Sequence, residues 1–224
     1  MDNKDLSIRE TVDKANQKSE LDHIVIASPD LEALVEEFYN LTGVKPVVGG
    51  RHEGKGTANQ LIGLGEGQYI ELIGPDPAQD DPNQARPLRV DEVNKTKLVG
   101  WSIRPDDMNT RVRMARKAGY DPGDVEPMSR KTPKGELLSW TLTPLEGGMG
   151  GAIPFLIDWK DTKHPSKGLP LVTLTSFTIT HPHPDEVRSA LEAVEALDLV
   201  SEVRQGEIGL EIELDTPKGR VKIK

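Results

Sequence analysis

Cysteine is absent from this chain of 224 residues. That absence removes disulfides, thiolate metal sites and cysteine nucleophiles together, so any catalytic ion must be held by histidine, carboxylate or water. Long apolar runs are lacking as well. No stretch approaches the roughly 20 residues that span a bilayer, and the N-terminus has no basic-then-apolar signal pattern. An excess of basic residues is also missing: the net charge is −9, and the lysines and arginines are scattered. A phosphate-backbone partner needs concentrated positive charge, so nucleic acid is excluded as the expected partner. The expectation is a soluble cytoplasmic protein, with no membrane partner and with a small molecule as its ligand. The length permits a sizeable core.

What is present is organised around residues 21–74. Leu21-Asp22-His23-Ile24-Val25-Ile26-Ala27 opens that stretch and Tyr69-Ile70-Glu71-Leu72-Ile73-Gly74 closes it. Both runs read as short apolar strands, and each carries a potential metal ligand among aliphatic neighbours, His23 in the first and Glu71 in the last. A carboxylate buried in an apolar strand is costly unless it is paired or hydrogen-bonded, so Glu71 points to a pocket. Alternation along the strands places His23 on the face opposite Asp22 and Ile24, and Glu71 opposite Ile70 and Leu72. Between the two runs, Asp30 caps a helix with the apolar stripe Leu31, Leu34, Val35, Phe38 and Leu41, ended by Gly43. Residues 47–52 and 57–64 follow as two strands joined by a glycine-rich turn. The unit is β-α-β-β-β.

Residues 75–97 form a loop too long for an ordinary connection, the length of a lid, binding segment or linker. At Leu98 the opening pattern returns, and residues 98–108 align without a gap under residues 21–31. A helix over residues 107–118 and strands near 126–131, 136–143 and 152–159 complete a second β-α-β-β-β unit. A third is expected from a strand at 171–180, a helix opened by Pro184-Asp185-Glu186, and three short strands near 199–204, 208–214 and 220–223. The sequence thus divides into a leader of residues 1–20, a paired domain over residues 21–165 and a C-terminal unit over residues 166–224. The C-terminal unit is expected to pack against the pair without lining its pocket. The prolines of His181-Pro182-His183-Pro184 fix a turn before a helix and argue against a metal role for either histidine.

Paired units that open with Leu-Asp-His and close with Tyr-Ile-Glu-Leu resemble the vicinal oxygen chelate superfamily, and within it the glyoxalase-like proteins. Further matches are residues 49–59 (Gly-Gly-Arg-His-Glu-Gly-Lys-Gly-Thr-Ala-Asn), Leu138-Ser139-Trp140, and Pro154-Phe155-Leu156-Ile157-Asp158-Trp159 with His164-Pro165 beyond. The resemblance implies an α+β fold in which two β-α-β-β-β modules form an open, cup-shaped barrel. Its concave interior would hold a divalent metal (Mg, Mn, Fe or Ni) that chelates a substrate or stabilises an enolate. It implies His23 and Glu71 as metal ligands and catalytic residues, with His52, Asn59, Trp140 and Phe155 on the substrate-binding wall. The other two ligand positions fall on Gly100 and Phe155, which cannot ligate through a side chain, and His52 or His164 would have to replace them. The implied activities are lyase, isomerase or dioxygenase chemistry on a small oxygenated substrate, or metal-free binding of a small molecule. Both a cup within one chain and a cup shared by a homodimer occur in the superfamily.

Overall fold

The computed structural model describes residues 19–65, 67–79, 85–132 and 134–224. Most of the expected leader lies outside them, and Ser19 and Glu20 already belong to the first strand. The first unit runs β1 (Ser19–Ala27), α1 (Leu31–Thr42), β2 (Val47–His52), β3 (Thr57–Gly65) and β4 (Gln68–Pro75). The second repeats it as β5 (Lys97–Pro105), α2 (Met108–Lys117), β6 (Glu126–Lys131), β7 (Leu137–Leu142) and β8 (Phe155–Asp158). Local chemistry accounts for the helix ends. Asp30 accepts the Ala33 N–H at 3.0 Å as N-cap, and Gly43 ends α1 in the left-handed region at φ 76°, where a side chain would be strained. Leu34, Phe38 and Thr42 recur at four-residue spacing as the buried face of α1.

The strands close into a barrel in the order β1-β4-β3-β2-β6-β7-β8-β5. Each module places its first strand parallel to its last, β1 with β4 and β5 with β8. The modules meet through an antiparallel β1–β5 pairing. On the other side the expected open cup is closed by a seam of one residue pair, Arg51 with Lys131.

Two hydrophobic layers result. Ile24, Ile26, Ile70 and Leu72 face outward, beneath the helices and the C-terminal unit. Val25, Ala27, Ile73, Trp140, Phe155 and Trp159 face inward. Alternation breaks at one place in β1. Leu21 pairs with Ile103 while His23 pairs with Ser102, so Asp22 is the extra residue of a bulge. Because of it Leu21 joins the outer layer together with Ile24, and Asp22 is buried beside His23 rather than on the face opposite to it.

The long connection is partly built into the barrel. It forms short 3-10 turns at Pro77–Gln79 and Pro87–Glu92, and Leu88, Val90 and Val93 are buried in the inner layer. Leu88 and Arg89 hold φ of 57° and 55°, a region unfavourable for side chains.

The C-terminal unit comprises β9 (Thr173–His181), α3 (Pro184–Ala193), β10 (Glu202–Gln205), β11 (Gly209–Thr216) and β12 (Gly219–Ile223). Its element order is β-α-β-β-β, as expected, but its sheet order, β10-β9-β11-β12, is not that of the barrel modules. Here the strand after the helix, β10, pairs parallel to the opening strand, and β11 takes the other edge antiparallel. The sheet buries Phe177, Ile179, Ile212 and Leu214 in the outer layer, and Phe177 meets Trp101 of β5 edge-on at 5.0 Å. Among the described residues no helix is long and apolar enough to cross a membrane.

Candidate functional site

Four of the residues singled out from the sequence meet inside the barrel. Glu71 faces inward from β4, and Asn59 on β3 donates its amide to Glu71 Oε1 at 2.6 Å. His52 Nε2 lies 3.7 Å from the same oxygen. His23 Nε2 lies 3.6 Å from Glu71 Oε2. A glycine makes the Asn59 position available: a Cβ on Gly49 would stand 2.2 Å from Asn59 Oδ1. Trp140 and Phe155, also expected on the wall, line the same narrow cavity. Tyr69 stacks on the His23 ring at 4.7 Å, and Phe155 meets that ring edge-on at 5.4 Å. His181 and His183 are not on this cavity. His181 Nδ1 instead accepts the His183 backbone N–H at 3.0 Å, within the turn before α3.

Asp22 anchors the site from behind. Its Oδ1 accepts His23 Nδ1 at 2.7 Å. Its Oδ2 accepts Arg104 Nη1 at 2.8 Å, Trp159 Nε1 at 3.0 Å and His164 Nε2 at 3.0 Å. Burial opposes ionisation of this carboxyl, but hydrogen bonds from His164 and His23 outweigh it and hold Asp22 well below the usual carboxylate range. An ionised carboxylate only accepts, so His23 must donate from Nδ1, which leaves Nε2 turned to Glu71. His164 completes its own chain by accepting the Ser166 backbone N–H at Nδ1. His164 is thus a partner of Asp22, not a replacement ligand beside Glu71.

Burial lowers the pKa of His52 and favours its neutral form, while Nδ1 sits 3.0 Å from Thr57 Oγ1. Burial raises the Tyr69 phenol well above its ordinary value, reinforced by the charges of Asp22 and Glu71, so it stays protonated. Arg130 is the residue sequence reasoning missed. It sits between Ser129 and Lys131 on β6, yet it is buried, lines the cavity and donates to the Gly49 carbonyl. Its signal was period two along β6, where Met128 and Arg130 both reach the cavity.

Residues 21–195 match the family described as glyoxalase-like domain. This chain belongs to that family. Among solved structures, a hypothetical protein from Staphylococcus aureus is similar at 16% identity and TM-score 0.61, over 85% of this chain and 88% of that one. Methylmalonyl-CoA epimerase from Mycobacterium tuberculosis is similar at 19% identity and TM-score 0.39, over 61% and 84%. A hypothetical protein from Bacillus halodurans is similar at 14% identity and TM-score 0.44, over 65% and 97%. These likenesses concern the fold. A comparison with curated proteins finds no match.

The glyoxalase-like fold invites a test of the metal the resemblance implied. Ser102 pairs with Phe155 as Val25 pairs with Glu71. By that register Gly100 and Phe155 stand where His23 and Glu71 stand in the first module. The second half therefore offers a ring and an α-carbon, and Leu88 closes over the glycine, 3.9 Å from where its Cβ would be. Among the described residues no group of three histidine or carboxylate side chains is arranged to hold an ion. A guanidinium, moreover, lines the cavity that a cation would enter. The residues present do not fit a divalent-metal site.

Proposed function

We propose that this glyoxalase-like protein is an enzyme that moves a proton on a small oxygenated substrate, with Glu71 as the base. The observation that carries this is the Asp22–His23–Glu71 line. Glu71 is held by Asn59 through one oxygen, its other oxygen faces His23 Nε2 at 3.6 Å, and His23 is fixed from behind by Asp22. A carbon acid beside a carbonyl would give its proton to Glu71, its electron pair passing to the carbonyl oxygen. Return of the proton to that carbon or its neighbour would complete an isomerisation. His23 is placed to take the proton from Glu71 and give it back, the imidazolium being stabilised by the buried Asp22 carboxylate. The neutral His52 imidazole and the Arg130 cation border the space where enolate charge would develop. No step in this scheme uses a metal.

The apolar filling of the second half by Leu88 and Phe155 supports one other role, holding a ligand without turning it over. A panel of 2-oxo and 2-hydroxy acids and ketones incubated in D2O with protein carrying no metal separates the two. Wild type is expected to wash deuterium into a substrate C–H position, and Glu71→Gln to slow this by at least about 100-fold. Full exchange by Glu71→Gln would remove Glu71 from the role of base. Saturable binding without exchange would establish the holding role.

A further inference from the structure

Five arginines are buried or half-buried among the described residues, and four of them, Arg86, Arg104, Arg111 and Arg188, pair with carboxylates. Arg111 pairs with Glu195 at 3.0 Å, and Arg104 pairs with Asp22 and Glu20 at 2.8 Å each. Arg130 differs. It is only 4% exposed. Its hydrogen bond is to the Gly49 carbonyl, and it makes no ion pair among the described residues. One of the five N–H donors of a guanidinium suffices for that bond. Glu71 acts on Arg130 across the cavity without an ion-pair contact, so most donors of this buried cation are open to a group from outside the chain. A second donor on the same wall is idle too: the buried indole N–H of Trp140 has no partner among the described residues.

We propose that Arg130 anchors a carboxylate of the ligand, and that the apolar or aromatic remainder of that ligand lies against Trp140, Phe155 and Trp159. The planar fork of arginine matches a carboxylate through two parallel hydrogen bonds. One guanidinium on the wall of a narrow cavity suits a small monoanion. Glu71 borders the same cavity, so the anion is held at the Arg130 end and the carbon next to it is offered to the carboxylate at the other. Only this last relation rests on the proton-transfer role proposed above. Anion recognition stands on Arg130 itself.

Calorimetric titration with phenylacetate and with phenylacetamide tests this, because the two probes share shape and differ in charge. Wild type is expected to bind phenylacetate at least about tenfold tighter than the amide. Arg130→Met should abolish that preference, Arg130→Lys should keep part of it, and Glu71→Gln should retain it. The comparison between probes in wild type needs no variant, so a folding defect in Arg130→Met leaves the test intact. Equal affinity for acid and amide, no binding of phenylacetate on the order of 10 mM, or an unchanged preference in Arg130→Met would overturn the proposal. So would displacement of phenylacetate by equimolar inorganic phosphate, which would assign the site to inorganic anions. Loss of deuterium exchange in Glu71→Gln does not bear on this result. A Glu71→Gln protein with full exchange and an Arg130→Met protein without carboxylate preference would refute the proposed base and keep the anion site.

Discussion

The two halves of the barrel share one backbone and oppose each other in chemistry. In the first module the inward positions of β1 and β4 hold His23 and Glu71, with His52 and Asn59 from β2 and β3 beside them. In the second, the same register positions hold Gly100 and Phe155, with Trp140 on β7 as further wall. Outward residues of both halves, Ile24, Ile26, Ile70 and Leu72 in the first and Trp101, Ile103 and Leu156 in the second, build one apolar layer. Repetition of the fold thus depends on the outward pattern, which each module needs in order to bury its helix. The inward positions differ: the first half presents two histidines, an amide and a carboxylate, and the second mostly aromatic and aliphatic side chains with the single cation Arg130.

The sharpest way to break this comparison is to alter the two matched positions. Glu71→Gln is expected to lower turnover by about 10²- to 10⁴-fold, the usual share of a general base. Phe155→Leu, at the counterpart position, should keep turnover within about tenfold and act chiefly on KM. Steady-state kinetics on a substrate found by deuterium exchange would check both, and equal losses in kcat would erase the division between the halves.

Next in size is Asp22→Asn. Breaking a buried charge network by removing one charge should cost on the order of 3 kcal/mol at neutral pH. Because the folded-state pKa of Asp22 is depressed, its contribution is fully present above the unfolded carboxyl value of about 4 and is lost as the pH falls through the folded value. Urea denaturation should therefore show a full gap between wild type and Asp22→Asn at pH 7, narrowing in acid. A gap independent of pH down to strongly acidic solution would contradict the assignment.

Two glycines compare the halves through stability alone. Gly49→Ala drives a methyl group into Asn59, with a separation of 2.2 Å, and is expected to cost about 1–3 kcal/mol by overpacking. Gly100→Ala meets Leu88 at ordinary contact distance, 3.9 Å, and should be neutral or gain about 0.4–1 kcal/mol from a stiffer unfolded chain. Thermal unfolding of the pair would reverse the picture if Gly100→Ala proved the more damaging.

The smallest effect belongs to His52. Its folded-state pKa is lowered by burial, so the unfolded chain binds more protons near pH 6, and wild-type stability falls as the pH drops below about 6.5. His52→Gln should flatten part of that decline between pH 7.5 and pH 5.5, measured by urea midpoints. An unchanged slope would mean that another group dominates this range.

Much of the site was legible because it follows period two. His23, Glu71, His52, Asn59, Trp140 and Phe155 all reach the cavity from strands whose alternation could be read. Asp22 was misplaced because a bulge is one residue out of phase and leaves no trace in composition; only the pairing of β1 with β5 reveals it. Arg130 was hidden because a basic residue between Ser129 and Lys131 looks solvated until the opposite wall is known. Leu88 was beyond reach for a related reason. A loop residue's landing place depends on contacts far along the chain.

The sequence by itself determined the repeat, its helices and strands and the inward set of the first module, because spacing, capping and turn chemistry are local. Only the tertiary structure decided three further things: that the cup closes at Arg51 and Lys131, that the C-terminal unit orders its strands differently from the barrel modules, and that Arg130 is buried on the wall of the cavity that holds Glu71. Each depends on strands distant in sequence settling next to one another, and pairing between distant strands is fixed by the packing of the whole chain.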